Sequence, residues 1–238
     1  MKDLSILDYK IIAHRGIHND TIKENTIEAF KKSISEGVPF ELDIHIIKDG
    51  TLVVFHDRNL KRLYKKDIDI NKLNYKKLSK LSNNEIVKLE DVLALTKGKV
   101  PIIIEIKKDD NKYKLEKKLV ELMDNYEGKF AIKSFDMKSI AWFKKNRPEY
   151  VRGLLLKNKN YNLYDRIKLY FILKKIKPDF LSINYKLLNY SFINKYRKNN
   201  KILIWTINND DKYNKYKNMC DSLICEKIDI KRYIHENN

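Results

Sequence analysis

Cysteine is scarce. The 238-residue chain has two, Cys220 and Cys225. No histidine pattern partners them, which argues against a zinc site and for reduced, small core residues. No run approaches about 18 consecutive apolar residues, so no membrane-spanning helix is expected. The opening residues, MKDLSILDYKIIAHRG, lack the charged-then-apolar order of a secretory leader, and the expected compartment is the cytoplasm. No Ser/Gly linker, composition break or internal repeat divides the chain, which predicts a single domain over 1–238. Arginine is also scarce, 8 of the 50 basic residues, and the 42 lysines are scattered among Asn, Ile and Tyr. The net charge of +18 therefore reads first as lysine filling solvated surface. A clustered nucleic-acid face would look different, and no specific nucleic-acid partner is expected. A basic protein still draws in anionic substrates and, weakly, anionic membrane surfaces.

What is present is an alternation of short apolar runs and amphipathic stretches. Strand-like runs fall at 10–14, 39–44, 100–107, 130–135, 151–157, 180–185, 201–208 and 222–226. A ninth, LVVFH (52–56), follows Asp49-Gly50, a strong hairpin signal, and reads as a return strand on the second run. Helical spacing is clearest at Ile27, Phe30 and Ile34, with Asn25 and Glu28 as a capping pair, Gly37 as the stop and Pro39 opening the next strand. Residues 89–98, 136–145 and 161–175 behave similarly, the last as an exterior helix. Residues 58–88 read as loops and short helices. Eight such units predict a (β/α)₈ TIM barrel with a small β-hairpin insertion after strand two. An open doubly wound sheet is the alternative, but no glycine-rich nucleotide loop follows the first run.

Sites on such barrels sit at the C-terminal ends of the strands. Those ends carry His14-Arg15-Gly16, Glu41-Leu42-Asp43, Glu105-Ile106-Lys107 and, on the seventh strand, Trp205. In FELDIHIIKDGTLVVFHD (40–57), Glu41, Asp43 and His45 recur at period two and share one strand face. Parity sends Ile102, Ile104 and Ile106 to the helices and Glu105 and Lys107 to the axis. Three carboxylates at one mouth repel unless a cation joins them, and an all-oxygen set suits Mg²⁺ or Ca²⁺. His14 and His56 supply an acid and a base near neutral pH, and Arg15 and Lys107 supply charge for a phosphate. Together these parts describe metal-assisted cleavage of a phosphate ester.

The order HRGIHNDTIKENTIEAF (14–30), ELDIHIIKDGTLVVFHD (41–57) and IIIEIK (102–107), with weaker matches at SF (134–135) and IWTIN (204–208), resembles the glycerophosphodiester phosphodiesterase family. The resemblance covers nearly the whole chain. It implies a barrel hydrolase that cleaves small glycerophosphodiesters, such as glycerophosphocholine or glycerophosphoethanolamine, to an alcohol and sn-glycerol 3-phosphate. It implies one divalent cation on Glu41, Asp43 and Glu105, His14 and His56 as the acid–base pair, Arg15 and Lys107 as phosphate contacts, and Trp205 as an aromatic lining the substrate side. Alternatives are a lysophospholipase D-like or phospholipase C-like enzyme on lysolipids and, in another class, a non-catalytic basic nucleic-acid-binding protein.

The chain departs from the family pattern at three places. Lys23 stands where Pro often precedes Glu-Asn. The last strand reads LICEK (223–227) in place of a Thr-Asp-x-Pro-like ending. His18 and His45 are extra histidines, read as indirect or solvated. Asn25 is explained as a helix cap and left out of the site.

Overall fold

The computed structural model describes residues 2–108 and 112–237. In chain order the elements are β1 (Ile11–Ala13), α1 (Ile27–Ser35), β2 (Phe40–Ile46), β3 (Leu52–Val54), α2 (Lys61–Tyr64), α3 (Tyr75–Leu81), α4 (Leu89–Thr96), β4 (Ile102–Ile106) and α5 (Lys114–Met123). They continue with β5 (Phe130–Ser134), α6 (Met137–Asn146), β6 (Val151–Leu156), α7 (Leu163–Ile176), β7 (Phe180–Asn184), α8 (Ser191–Tyr196), β8 (Lys201–Ile207), α9 (Asp210–Tyr216) and β9 (Ser222–Cys225).

All strands but β3 pair in parallel in the order β1-β2-β4-β5-β6-β7-β8-β9, and β9 returns to β1 to close an eight-stranded barrel. Closure is tight at β1, whose Ile11–Ala13 pair with Leu223–Cys225 while Ala13 also meets Phe40. Because β1 is only three residues long, the upper edge of β2 is left open, and β3 fills it antiparallel, Ile44–Ile46 against Leu52–Val54. The expected TIM barrel and hairpin insertion are both present.

Period-two alternation sorts the side chains as predicted. Phe40, Leu42, Ile44, Ile102, Ile104 and Ile106 point outward into the core shared with the helices. Ile12, Ile103, Ala131, Val151, Phe180 and Leu203 point inward and form the barrel floor. Gly153 is required there, since a Cβ at that position would lie 2.2 Å from the Phe180 ring. Residues 47–86 carry a small core of their own, built on Val53, Phe55, Leu60, Ile70, Leu78 and Ile86.

Capping differs from expectation at α1. Thr26, not Asn25, is the cap, with its hydroxyl accepting from the Ala29 amide. Asn25 instead turns with φ +57° and is buried.

Candidate active site

The β1 strand ends in a sharp turn at His14-Arg15-Gly16. Gly16 has φ +78°, and a Cβ there would fall 2.8 Å from the Ala29 Cβ. This close approach lets α1 lean over the barrel mouth. It also turns the Arg15 backbone amide toward Glu41, to which it donates at 3.2 Å. The Arg15 carbonyl accepts from the Asn25 amide at 3.0 Å, and the Asn25 side chain donates to Asp43 Oδ2 at 2.9 Å. Asn25 is therefore a site residue that sequence reasoning assigned to a cap. The contact joins positions 18 apart, which local spacing does not reveal.

Glu41, Asp43 and Glu105 come together as predicted, each offering an oxygen within 4.8 Å of the others. All three are buried. Three cations compensate them. Arg15 Nε lies 3.2 Å from Asp43, Lys107 Nζ lies 2.7 Å from Asp43 and also contacts Glu105, and Lys133 Nζ lies 3.0 Å from Glu41 and 3.4 Å from Glu105. Lys133 was missed by sequence reading. It is only 2% exposed, and its signal was parity alone, two residues beyond inward Ala131. Burial pushes the Asp43 carboxyl up, but Lys107 and Arg15 outweigh it and hold it well below the usual range. Burial likewise opposes the charge on Glu105, while Lys107 and Lys133 keep it below normal. On the cationic side, burial works against Lys107 and Lys133, and the carboxylates override it and raise both.

The donor set fits a hard divalent cation. It is all oxygen, converges to one point, and includes a buried atom, Glu41 Oε1, that makes no well-aligned hydrogen bond among the described residues, Lys133 Nζ lying 3.0 Å from it. The three acids and three cations balance, so a divalent ion would leave the inner site two charges positive, suited to an anionic phosphodiester.

Both predicted histidines stand at the mouth with the same support. His14 Nδ1 is 2.7 Å from Glu226 Oε2, and His56 Nδ1 is 2.7 Å from Asp57 Oδ1. A carboxylate behind Nδ1 fixes the ring and turns Nε2 away from it. Asp57 is in turn held by Arg62 at 2.6 Å, Arg62 by Glu24, and Glu24 by Arg15, so a chain of ion pairs links His56 to the carboxylate cluster. Glu226 sits at the LICEK departure and was not anticipated as a site residue. Its hydrogen bond with His14, with His18 close by, holds its carboxyl far below the usual range. His18 Nε2 lies 3.8 Å from the same Glu226 oxygen and borders a cavity of about 410 Å³ between α1 and residues 227–234. His45 does not reach the carboxylates by hydrogen bond. It donates to the His56 backbone carbonyl at 3.2 Å, and burial pulls its pKa down to about 4, keeping it neutral.

The opposite wall is neutral. Trp205 is half-buried at the end of β8 and packs edge-to-face on Phe135, ring centroids 6.1 Å apart. Its Nε1, and the Ser182 hydroxyl on β7, are buried without hydrogen-bond partners among the described residues.

Known proteins resemble this chain in sequence and fold. The Glycerophosphoryl diester phosphodiesterase family matches residues 14–230. A glycerophosphodiester phosphodiesterase of Caldanaerobacter subterraneus subsp. tengcongensis is 35% identical over 162 residues, which is 61% of this chain and 65% of that protein. The chain thus spans slightly under two thirds of that relative. A human lysophospholipase D is 36% identical over 134 residues, 49% of this chain and 41% of that protein. The crystal structure of a Thermotoga maritima glycerophosphodiester phosphodiesterase superimposes with a TM-score of 0.76 at 26% identity, covering 91% of this chain and 94% of that one. With the family match running from His14 to beyond Glu226, the chain belongs to the glycerophosphoryl diester phosphodiesterase family, a class of phosphoric diester hydrolases.

Proposed function

We propose that this protein, as one domain over 1–238, hydrolyses small glycerophosphodiesters such as glycerophosphocholine and glycerophosphoethanolamine to the alcohol and sn-glycerol 3-phosphate. The observation that carries the reading is a three-carboxylate cluster flanked by two histidines, each backed by its own carboxylate. Glu41, Asp43 and Glu105 would hold the cation, Mg²⁺ or Ca²⁺. When bound, the ion supplies Lewis-acid charge to a phosphate oxygen. Arg15 and Lys107 bind the remaining phosphate charge. His14 accepts the proton of the nucleophile as the new P–O bond forms, the nucleophile being water directly or the neighbouring glycerol hydroxyl, whose cyclic phosphate a water then opens. His56 gives a proton to the departing alcohol oxygen as the old P–O bond breaks. Glu226 and Asp57 orient the two rings, and Trp205 with Phe135 forms an apolar wall for the substrate. The two unpaired thiols support the cytoplasm as the proposed compartment.

A second reading, a lysophospholipase D-like or phospholipase C-like phosphodiesterase on lysolipids, is favoured by the Phe135–Trp205 wall. Phosphorus NMR of the products separates the readings. Release of sn-glycerol 3-phosphate from glycerophosphocholine supports the first. Phosphocholine release, or turnover confined to lysolipids, would replace it.

A further inference from the structure

The net charge is not spread evenly. Residues 137–208 hold 17 basic and 3 acidic residues, +14 of the chain's +18. Lysine is scattered throughout, as the sequence suggests; acids are what this segment lacks.

The same segment carries α7, which is apolar on two sides. Leu169 and Ile176 pack inward. Leu163, Tyr164, Ile167, Tyr170 and Phe171 face solvent, the first two 71% and 70% exposed. At 100° per residue these five fall within an arc of about 120° opposite the packed face. Five contiguous exposed apolar side chains over about 12 Å of helix are more than scattered surface apolarity requires. Lys168, Lys174 and Lys175 flank it and are exposed, and Lys174 lies over the Tyr170 ring at 4.7 Å. Asp165, the one acid in the helix, is neutralised by Lys159 at 2.7 Å. Beside the stripe an apolar cavity of about 280 Å³ opens between α7 and α8, lined by Leu169, Tyr170, Leu173 and Phe192 among others.

We propose that the outer face of α7 docks on anionic phospholipid surfaces. Amphipathic aromatic and aliphatic side chains seat in the headgroup boundary while the flanking lysines meet lipid phosphates. Charge decides between occupants. A second copy would bring the same +14 segment against itself, whereas an anionic bilayer complements it. Orientation follows from the fold. The α7 C-terminus packs near the start of β6, where Arg152 reaches the Lys177 carbonyl, so Leu163 and Tyr164 lie at the mouth end of the barrel. Docking therefore brings the rim of the site to the lipid surface. The inference does not rest on which diester is cleaved.

The test is flotation with phosphatidylcholine vesicles, with and without phosphatidylglycerol, for the wild type and for Ile167→Glu/Phe171→Glu. A second variant, Lys168→Glu/Lys174→Glu/Lys175→Glu, isolates the charge. Thermal melts control for folding, and sedimentation equilibrium reports self-association. The wild type should bind the anionic vesicles, weaken on raising salt, and lose at least about tenfold in affinity in each variant with melting unchanged. Absence of binding to anionic vesicles, or equal binding by both variants, overturns the proposal. So does a concentration-dependent dimer that Ile167→Glu/Phe171→Glu abolishes while vesicles are ignored; that result assigns the face to a second copy.

Discussion

The two sides of the barrel use one architecture for opposite purposes. On the β1–β5 side and at β9 the upper inward positions are ionisable: His14, Glu41, Asp43, Glu105, Lys133 and Glu226. On the β6–β8 side the equivalent upward positions are Leu155, Ser182 and Trp205, all of them uncharged. Outside, the relation inverts. The chain beyond β5 carries most of the net charge and an uncovered apolar helix, whereas the earlier half nearly balances its charges. Strand parity delivers a side chain to the mouth in every case. What differs is whether its neighbours can compensate a charge there. Glu41, Asp43 and Glu105 are tolerable because Arg15, Lys107 and Lys133 stand beside them. The neutral wall has no such partners and is suited to the organic part of a substrate.

This contrast can be broken from the charged side first. Glu41→Ala should reduce turnover by about 10⁴-fold, the loss of several kcal/mol of transition-state charge stabilisation, as read by release of sn-glycerol 3-phosphate. His56→Ala should lower kcat by about 10³-fold with little change in KM, since the ring moves a proton and does not hold the substrate. Undiminished kcat would remove His56 from the reaction. Lys133→Met leaves Glu41 and Glu105 short of a buried partner and should destabilise the fold by about 3 kcal/mol in urea unfolding. Added divalent cation should recover part of that loss; a variant as stable as wild type without metal would refute the charge balance.

Glu226→Gln should have the smallest effect, a loss of about tenfold in kcat at unchanged KM, because it positions His14 and does not touch the substrate. It also carries a pH signature. The carboxyl is depressed in the folded state, chiefly by its hydrogen bond to His14. Its stabilisation is therefore fully present above the unfolded value of about 4.3 and is lost as pH falls toward the folded value. The stability gap between wild type and Glu226→Gln should hold from pH 6 to about 4.3 and shrink progressively as urea titrations go below pH 4. A gap that stays constant would separate Glu226 from His14.

Much of this was legible because it is periodic. All eight barrel strands lie within two residues of the positions that alternation predicts, and the Asp49-Gly50 turn announced β3. The carboxylate cluster was legible for the same reason, since parity fixes which strand residues face the axis. Lys133, Glu226, Asn25 and Asp57, the carboxylate behind His56, were not. Lys133 was lost among 42 lysines, although its place two residues after inward Ala131 was a signal. Glu226 follows inward Ile224 by two, but it looked like a departure from the family pattern. Asn25 resembled a cap because Thr26 beside it is one, and its contact with Asp43 exists only after folding. Helix α5 also went unnamed, despite Leu115, Leu119 and Met123 recurring four apart on its buried face.

The most direct test of the charged side as the working side is hydrolysis of glycerophosphocholine with Mg²⁺, with Ca²⁺ and with chelator, on the wild type beside Glu41→Ala. Release of sn-glycerol 3-phosphate that requires a divalent ion and vanishes in the variant is the predicted result. Release that persists in chelator, or that survives Glu41→Ala, would contradict the account.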